Sequence, residues 1–140
     1  MENFSILFTG AGSTMGQSLI KALLMSEKYK DIVDIHVTNS EPMGAGYFLS
    51  ERVKGRYIVP IDYIDRIIQI CKENNIKGIL SGTEHEIYAL SKNAERIKNE
   101  SGAIVFLSRL EVIDIGTDKL KTYEFFKKHD LPFPETALFD

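Results

Sequence analysis

Three short stretches hold the residues that could do chemistry. Thr9-Gly10-Ala11-Gly12-Ser13-Thr14-Met15-Gly16 follows the apolar run Ile6-Leu7-Phe8. It opens an apolar-periodic segment through Leu19, Ile20, Leu23 and Leu24, the pattern of strand, glycine loop and helix. Gly10 and Gly12 can take positive φ and let a ligand approach the backbone closely. The helix behind them presents unpaired N–H groups and a positive dipole end. The expected guest of Gly10, Gly12 and Ser13 is therefore an anionic group. The loop alone does not say whether it is a phosphate or a carboxylate.

The second stretch, Glu84-His85-Glu86, puts two carboxylates and an imidazole after a predicted strand. Adjacent residues in a turn cannot all point inward, and no second cluster of His or Cys completes a metal site, so no metal is expected. A carboxylate here could hold a substrate amine. The plainer reading is that acids are favoured at a helix start by the dipole. The third stretch is Asp118-Lys119, at the start of a late helix. The acid suits the dipole and Lys119 opposes it, an arrangement that makes sense if the lysine points at phosphate. No residue stands out as catalytic.

The elements that must position these groups alternate along the chain. Strands are predicted over 5–9, 32–38, 56–59, 78–81 and 103–107. Helical stripes run from Ser13 or Thr14 to about Ser26, through Ile61, Ile64, Ile67, Ile68 and Cys71, and through Ile87, Leu90, Ala94 and Ile97. Thr83 and Glu86 have the spacing of a capping box. Arg109–Ile115 is a short helix or turn, and Thr117 is a candidate cap for a helix from Asp118 to about His129. Leu131-Pro132-Phe133-Pro134-Glu135-Thr136 is extended and stiffened by proline, and Ala137-Leu138-Phe139 looks like the start of another strand. Five alternations of strand and helix predict an α/β fold, a three-layer Rossmann-like parallel sheet with right-handed crossovers and helices on both faces. Ligands of such sheets bind at the carboxyl ends of the strands. The glycine loop, the loop from Asn39 to Gly46 and the turn from Ser81 to Glu86 all fall on that edge.

Composition sets limits on function. The 140 residues suit one core, with 44% hydrophobic and 26% charged residues and a net charge of −3. No basic excess supports nucleic acid or an anionic membrane as partner. A single cysteine, Cys71, excludes an internal disulfide and fits a reducing, cytoplasmic setting; within its apolar helix pattern it reads as an inert buried thiol. No apolar run approaches the roughly 20 residues of a membrane span, and the start Met1-Glu2-Asn3 lacks the basic region of a signal peptide.

Two dinucleotide signals are incomplete. The glycines are spaced G-x-G-x-x-x-G, and the second strand ends Val37-Thr38-Asn39-Ser40, with Glu41 arriving late for a ribose contact. Tyr88 and Lys92 match the Y-x-x-x-K pair of short-chain dehydrogenases, but in that family the pair follows the fifth strand, and here it precedes it. An NAD(P)-binding dehydrogenase or epimerase is the alternative reading.

Taken in order, the glycine loop, Ser81-Gly82-Thr83-Glu84-His85-Glu86, Phe106-Leu107-Ser108, Thr117-Asp118-Lys119 with Thr122 and Phe126, and the 131–136 segment resemble the start of an ATP-grasp enzyme. The likeness is to the large subunit of carbamoyl-phosphate synthase and the small carboxylate–amine ligases similar to it. It implies a pre-ATP-grasp domain over residues 1–116, and an exit helix with the start of an ATP-grasp domain over 117–140. In that family ATP, with Mg2+, phosphorylates a carboxylate, and an amine or ammonia displaces phosphate from the acyl phosphate. By position, Gly10, Gly12 and Ser13 would lie near the acid, Glu84 and Glu86 on the substrate edge, and Lys119 near ATP phosphate. The resemblance implies that the chain is an N-terminal fragment, inactive alone and without its own cofactor, whose partner is a C-terminal ATP-grasp domain. It leaves room for a homo-oligomer.

Overall fold

A computed structural model describes residues 3–60 and 63–137. Five strands, β1 (Phe4–Thr9), β2 (Val33–Asn39), β3 (Val53–Ile58), β4 (Ile76–Ser81) and β5 (Ile104–Val105), form one sheet in the order β3-β2-β1-β4-β5. Every pairing is parallel. The fold is thus the α/β, Rossmann-like architecture expected for a pre-ATP-grasp domain. The chain builds outward from β1 to β3, then returns to the other side of β1. Loops leaving β1 and β4 diverge to opposite faces, which opens a crevice between them.

Alternation along the strands divides the core in two. On one face Leu7 and Ile79 pack with Tyr63, Ile67, Ile70, Cys71, Leu90 and Ile97, from helices α2 (Ile64–Glu73), α3 (Glu84–Lys92), α4 (Ala94–Ser101) and the residue before α2. On the other, Phe8, Ile35 and Val37 pack with Ile20 of α1 (Thr14–Met25) and with Tyr47 of a single 3-10 turn, Ala45–Phe48. Burial pushes the Cys71 thiol up to about 12, with a smaller opposing effect from Ser101; the group is a buried apolar filler.

Several predicted boundaries move. The third strand begins at Val53, not Arg56, because an edge strand alternates polar Lys54 and Arg56 outward and shows only half an apolar signal. The stripe from Ile87 to Ile97 is two helices, broken at Asn93, which ends α3 and starts α4; its amide side chain donates to the Ala89 carbonyl at 2.9 Å. Gly102, at φ +78°, stops α4 in the left-handed conformation that favours glycine. The fifth strand is only two residues long, although Phe106 N–H still donates to the Ile79 carbonyl at 2.9 Å.

The chain forms two compact units, Met1–Leu107 and Ser108–Asp140. The second contains α5 (Leu110–Thr117) and α6 (Lys119–Lys128). Asp118, rather than Thr117, caps α6, accepting from Leu120 N–H at 2.9 Å and Lys121 N–H at 3.1 Å. Thr117 instead turns its hydroxyl back to the Ile113 carbonyl. Residues 131–137 form no regular structure, and Phe133 packs edge-on against Tyr123 at 5.2 Å. The strand expected at Ala137-Leu138-Phe139 lies, beyond Ala137, outside the described residues. Among the described residues no helix is long and apolar enough to cross a membrane.

Candidate functional site

A crevice of about 550 Å3 opens at the carboxyl edge of the sheet, lined by Gly10, Asn39, Ser40, Val59, Pro60, Tyr63, Thr83, His85, Glu86 and Ala89. Among the described lining residues the charged group is the Glu86 carboxylate, with the His85 imidazole beside it and no lysine or arginine. This polarity favours a cation or a neutral group over a bare phosphate.

The glycine loop is held rigidly from within. Ala11 N–H donates to the Thr38 carbonyl at 3.0 Å and Ser13 N–H to the Gly10 carbonyl at 3.0 Å. Gly12 N–H donates to Asn39 Oδ1 at 3.2 Å, and Gly16 N–H to the Ser13 hydroxyl at 2.9 Å. Ser13 is therefore the N-cap of α1 that its type and position predict, and its hydroxyl also donates to the Gly82 carbonyl at 2.7 Å. Gly10 takes φ +58°. A methyl group there would lie 2.7 Å from a Glu86 carboxylate oxygen, so the glycine lets that carboxylate lean over the loop.

Asn39 joins three segments. Besides holding Gly12, its amide donates to the Glu41 carbonyl at 3.1 Å, and its own carbonyl accepts from Val59 N–H at 3.0 Å. Its side chain fills the space where a Cβ at Gly12 or Gly44 would stand, within 2.8 Å and 2.7 Å. This is the position where a dinucleotide fold carries its ribose-binding acid.

On the other wall, Thr83 and Glu86 do not close a capping box: Thr83 Oγ1 donates to Glu86 Oε2 at 2.8 Å rather than accepting from the helix backbone. Ser81 Oγ stands 3.5 Å from the same carboxylate oxygen. Tyr63 donates its hydroxyl to the Glu86 carbonyl at 3.1 Å. Burial, and then the Glu86 charge, push its phenol well above the ordinary tyrosine range, so it stays a neutral donor. Two further hydroxyls beneath the crevice, Thr9 Oγ1 and Thr38 Oγ1, are buried without a hydrogen-bond partner, an arrangement that costs about 1–3 kcal/mol each.

Of the residues nominated from sequence, Gly10 and Glu86 line the crevice together. Gly12 and Ser13 stand behind it, in the loop's own hydrogen bonds, and Glu84 is exposed at the start of α3. Lys119 is exposed at the first turn of α6, in the second unit. Tyr88 is 46% exposed, and neither it nor Lys92 lines the crevice. Sequence reasoning passed over Asn39, Tyr63, Thr9 and Thr38. Only Asn39 carried a signal, as the residue standing in for the missing acid. Among the described residues no three His, Cys, Asp or Glu side chains gather so as to hold a metal ion.

No curated protein matches the chain. The family model described as PylC-like, N-terminal domain matches residues 6–105, which spans β1 through β5. The chain belongs to this PylC-like N-terminal domain family, a family of pre-ATP-grasp domains that places it in the setting of an ATP-grasp ligase.

Proposed function

We propose that this domain forms the substrate side of an ATP-dependent carboxylate–amine or carboxylate–ammonia ligase, similar to carbamoyl-phosphate synthase in working through an acyl phosphate. The observation that carries the reading is the crevice beside β1 and β4, with the Glu86 carboxylate as the charged group among its described lining residues. Glu86 binds the amine substrate as a cation. The walls of Val59, Pro60, Tyr63 and Ala89 exclude water from one side of it. In the ligase reaction the carboxylate substrate takes the γ-phosphoryl group of ATP. The amine, having lost a proton, then attacks the acyl carbon, the acyl carbon–oxygen bond breaks, and inorganic phosphate leaves.

The described residues of the crevice do not suit the nucleotide or its Mg2+, having one carboxylate, one imidazole and no lysine or arginine. We assign ATP and Mg2+ to the ATP-grasp part of the ligase, with residues 117–140 as the passage into it and Lys119 directed at ATP phosphate. The glycine loop and Ser13 shape the acid side of the site, with Glu84 at its rim. The dehydrogenase reading is disfavoured by Asn39 in the ribose position and by loop amides already bonded within the protein. A calorimetric titration of the chain with Mg·ATP and with NADH tests the assignment. Neither should bind. Micromolar binding of Mg·ATP would place the nucleotide here and sink the proposal; saturable NADH binding would restore the oxidoreductase reading.

A further inference from the structure

The crevice is much larger than the cation its carboxylate could hold. Its volume is about 550 Å3, within the range of sites that take small organic molecules, roughly 300–1,000 Å3. An ammonium ion needs about the room of a water molecule, roughly 30 Å3. The rest of the space has to be filled by something else, and its lining says what. Beside the carboxylate of Glu86 stand Val59, Pro60, Tyr63 and Ala89.

The lining changes character along α3. At the first turn Glu86 leans toward the glycine loop: Thr83 Oγ1 donates to its Oε2 at 2.8 Å, and the same oxygen would stand 2.7 Å from a Cβ on Gly10. Ala89 follows three residues later on the same helix face and also lines the crevice. The Tyr63 hydroxyl is already engaged, donating to the Glu86 carbonyl at 3.1 Å. Val59 gives its N–H to the Asn39 carbonyl at 3.0 Å, and Pro60 has no N–H to give. The side chains of Val59, Pro60 and Ala89 offer no acceptor.

An ammonium ion donates in four directions, and a donor turned from water to an apolar wall goes unsatisfied at a cost. A primary organic ammonium carries carbon in the fourth direction. Its three N–H groups can stay with Glu86 and water while its carbon body covers the apolar wall. We propose that the amine taken by this crevice is a primary organic amine with an apolar body of butyl or benzyl size next to the nitrogen, and not ammonia. The inference rests on the reading of Glu86 as the amine-binding residue and names the substrate class for that site.

The test is a chemical-shift titration of the full chain at constant ionic strength with ammonium, ethylammonium, n-butylammonium and benzylammonium chlorides, and with n-butanol as the uncharged comparison. Affinity should rise about two- to fourfold with each methylene from ammonium to n-butylammonium. Shifts at Gly10, Thr83 and Glu86 should accompany every organic cation, and shifts at Val59, Tyr63 and Ala89 should grow with the body. Ala89→Leu, which takes up part of the space, should weaken n-butylammonium about fivefold without changing ammonium. Pro60→Ser, at an exposed position, should lower the ratio of n-butylammonium to ammonium affinity about threefold, and it carries the test if the leucine variant does not fold. Equal affinity for ammonium and n-butylammonium, or folded variants with an unchanged ratio, would overturn the organic body and leave Glu86 standing. Glu86→Gln should abolish binding of all four cations. Binding that persists in Glu86→Gln, n-butanol binding as tightly as n-butylammonium, or no cation binding to the wild type would bring down the Glu86 reading itself.

Discussion

The two loops that leave the sheet at its switch point use their polar groups in opposite ways. The glycine loop after β1 turns them inward: the amides of Ala11, Gly12, Ser13 and Gly16 all donate within the protein. The turn after β4 leaves a carboxylate on the crevice, tethered by Thr83 and within reach of Ser81. The first is a brace and the second presents chemistry, although by composition alone the glycine loop is the more obvious ligand site. A run of glycines shows that backbone approaches something closely; here much of what it approaches is other backbone.

That contrast depends on the two loops standing back to back, and the largest effect should come from forcing them apart. A Cβ on Gly82 would lie 2.5 Å from Gly16 Cα and 2.7 Å from Gly16 N. Neither atom belongs to a flexible side chain that could swing away. Gly82→Ala should cost about 3 kcal/mol in chemical denaturation, at the upper end of overpacking losses. Little loss would mean that the brace is soft.

Asn39→Ala comes next. It leaves Gly12 N–H without its acceptor and opens the space above Gly12 and Gly44, for a loss of about 2 kcal/mol. Asn39→Asp keeps an acceptor for Gly12 but loses the donor to the Glu41 carbonyl, so it should recover part of the loss. Amide exchange at Gly12 should be fast in the alanine variant and slow again in the aspartate. Equal exchange in all three would remove Asn39 from the brace.

How much of this was legible in the sequence depends on whether a property is local. The strand–loop–helix start, the Ser13 cap and the stop at Gly102 were legible because each is set by residues within one turn of chain. The meeting of three loops on one edge followed from strand–helix alternation and the parallel rule. The role of Asn39 was not legible. A turn-forming residue looks the same whether it faces water or clamps a glycine 27 positions away. That Thr9 of β1 lies opposite Ser81 of β4 depends on sheet order and register, which no strand carries by itself. The break at Asn93 hid because its neighbours keep the helical spacing on both sides.

Ser13→Ala should have a smaller effect than the Asn39 change, about 1 kcal/mol, the ordinary worth of a helix cap. It removes the cap on Gly16 N–H and the bridge to the Gly82 carbonyl together. If the bridge contributes beyond the cap, Ser13→Ala and Thr83→Ala will be non-additive, since both act on the turn that Gly82 begins. Strict additivity would mean that the two loops touch without coupling.

The gentlest probe is pH, and it separates the β2 side of the sheet from the crevice. His36 on β2 is buried, its Nδ1 3.0 Å from the Tyr57 hydroxyl and its ring stacked on that tyrosine. A Cβ on Gly55 would collide with both groups, so the glycine makes the pair possible. Burial holds the His36 imidazole below the ordinary histidine range, against a smaller upward pull from Asp34. The unfolded chain, with a histidine near 6.5, then binds its proton first as pH falls. Stability should be full above that value and decline as pH drops toward the lower, folded-state value. His36→Gln should flatten this slope. Amide exchange should quicken first along β2 and β3, while β4 and α3 keep their protection, because the imidazole bonds to β3 and not to the turn that carries Glu86. Simultaneous loss of protection at Thr83 and Glu86 would show that the brace transmits what happens on β2, and would erase the division of labour between the two loops.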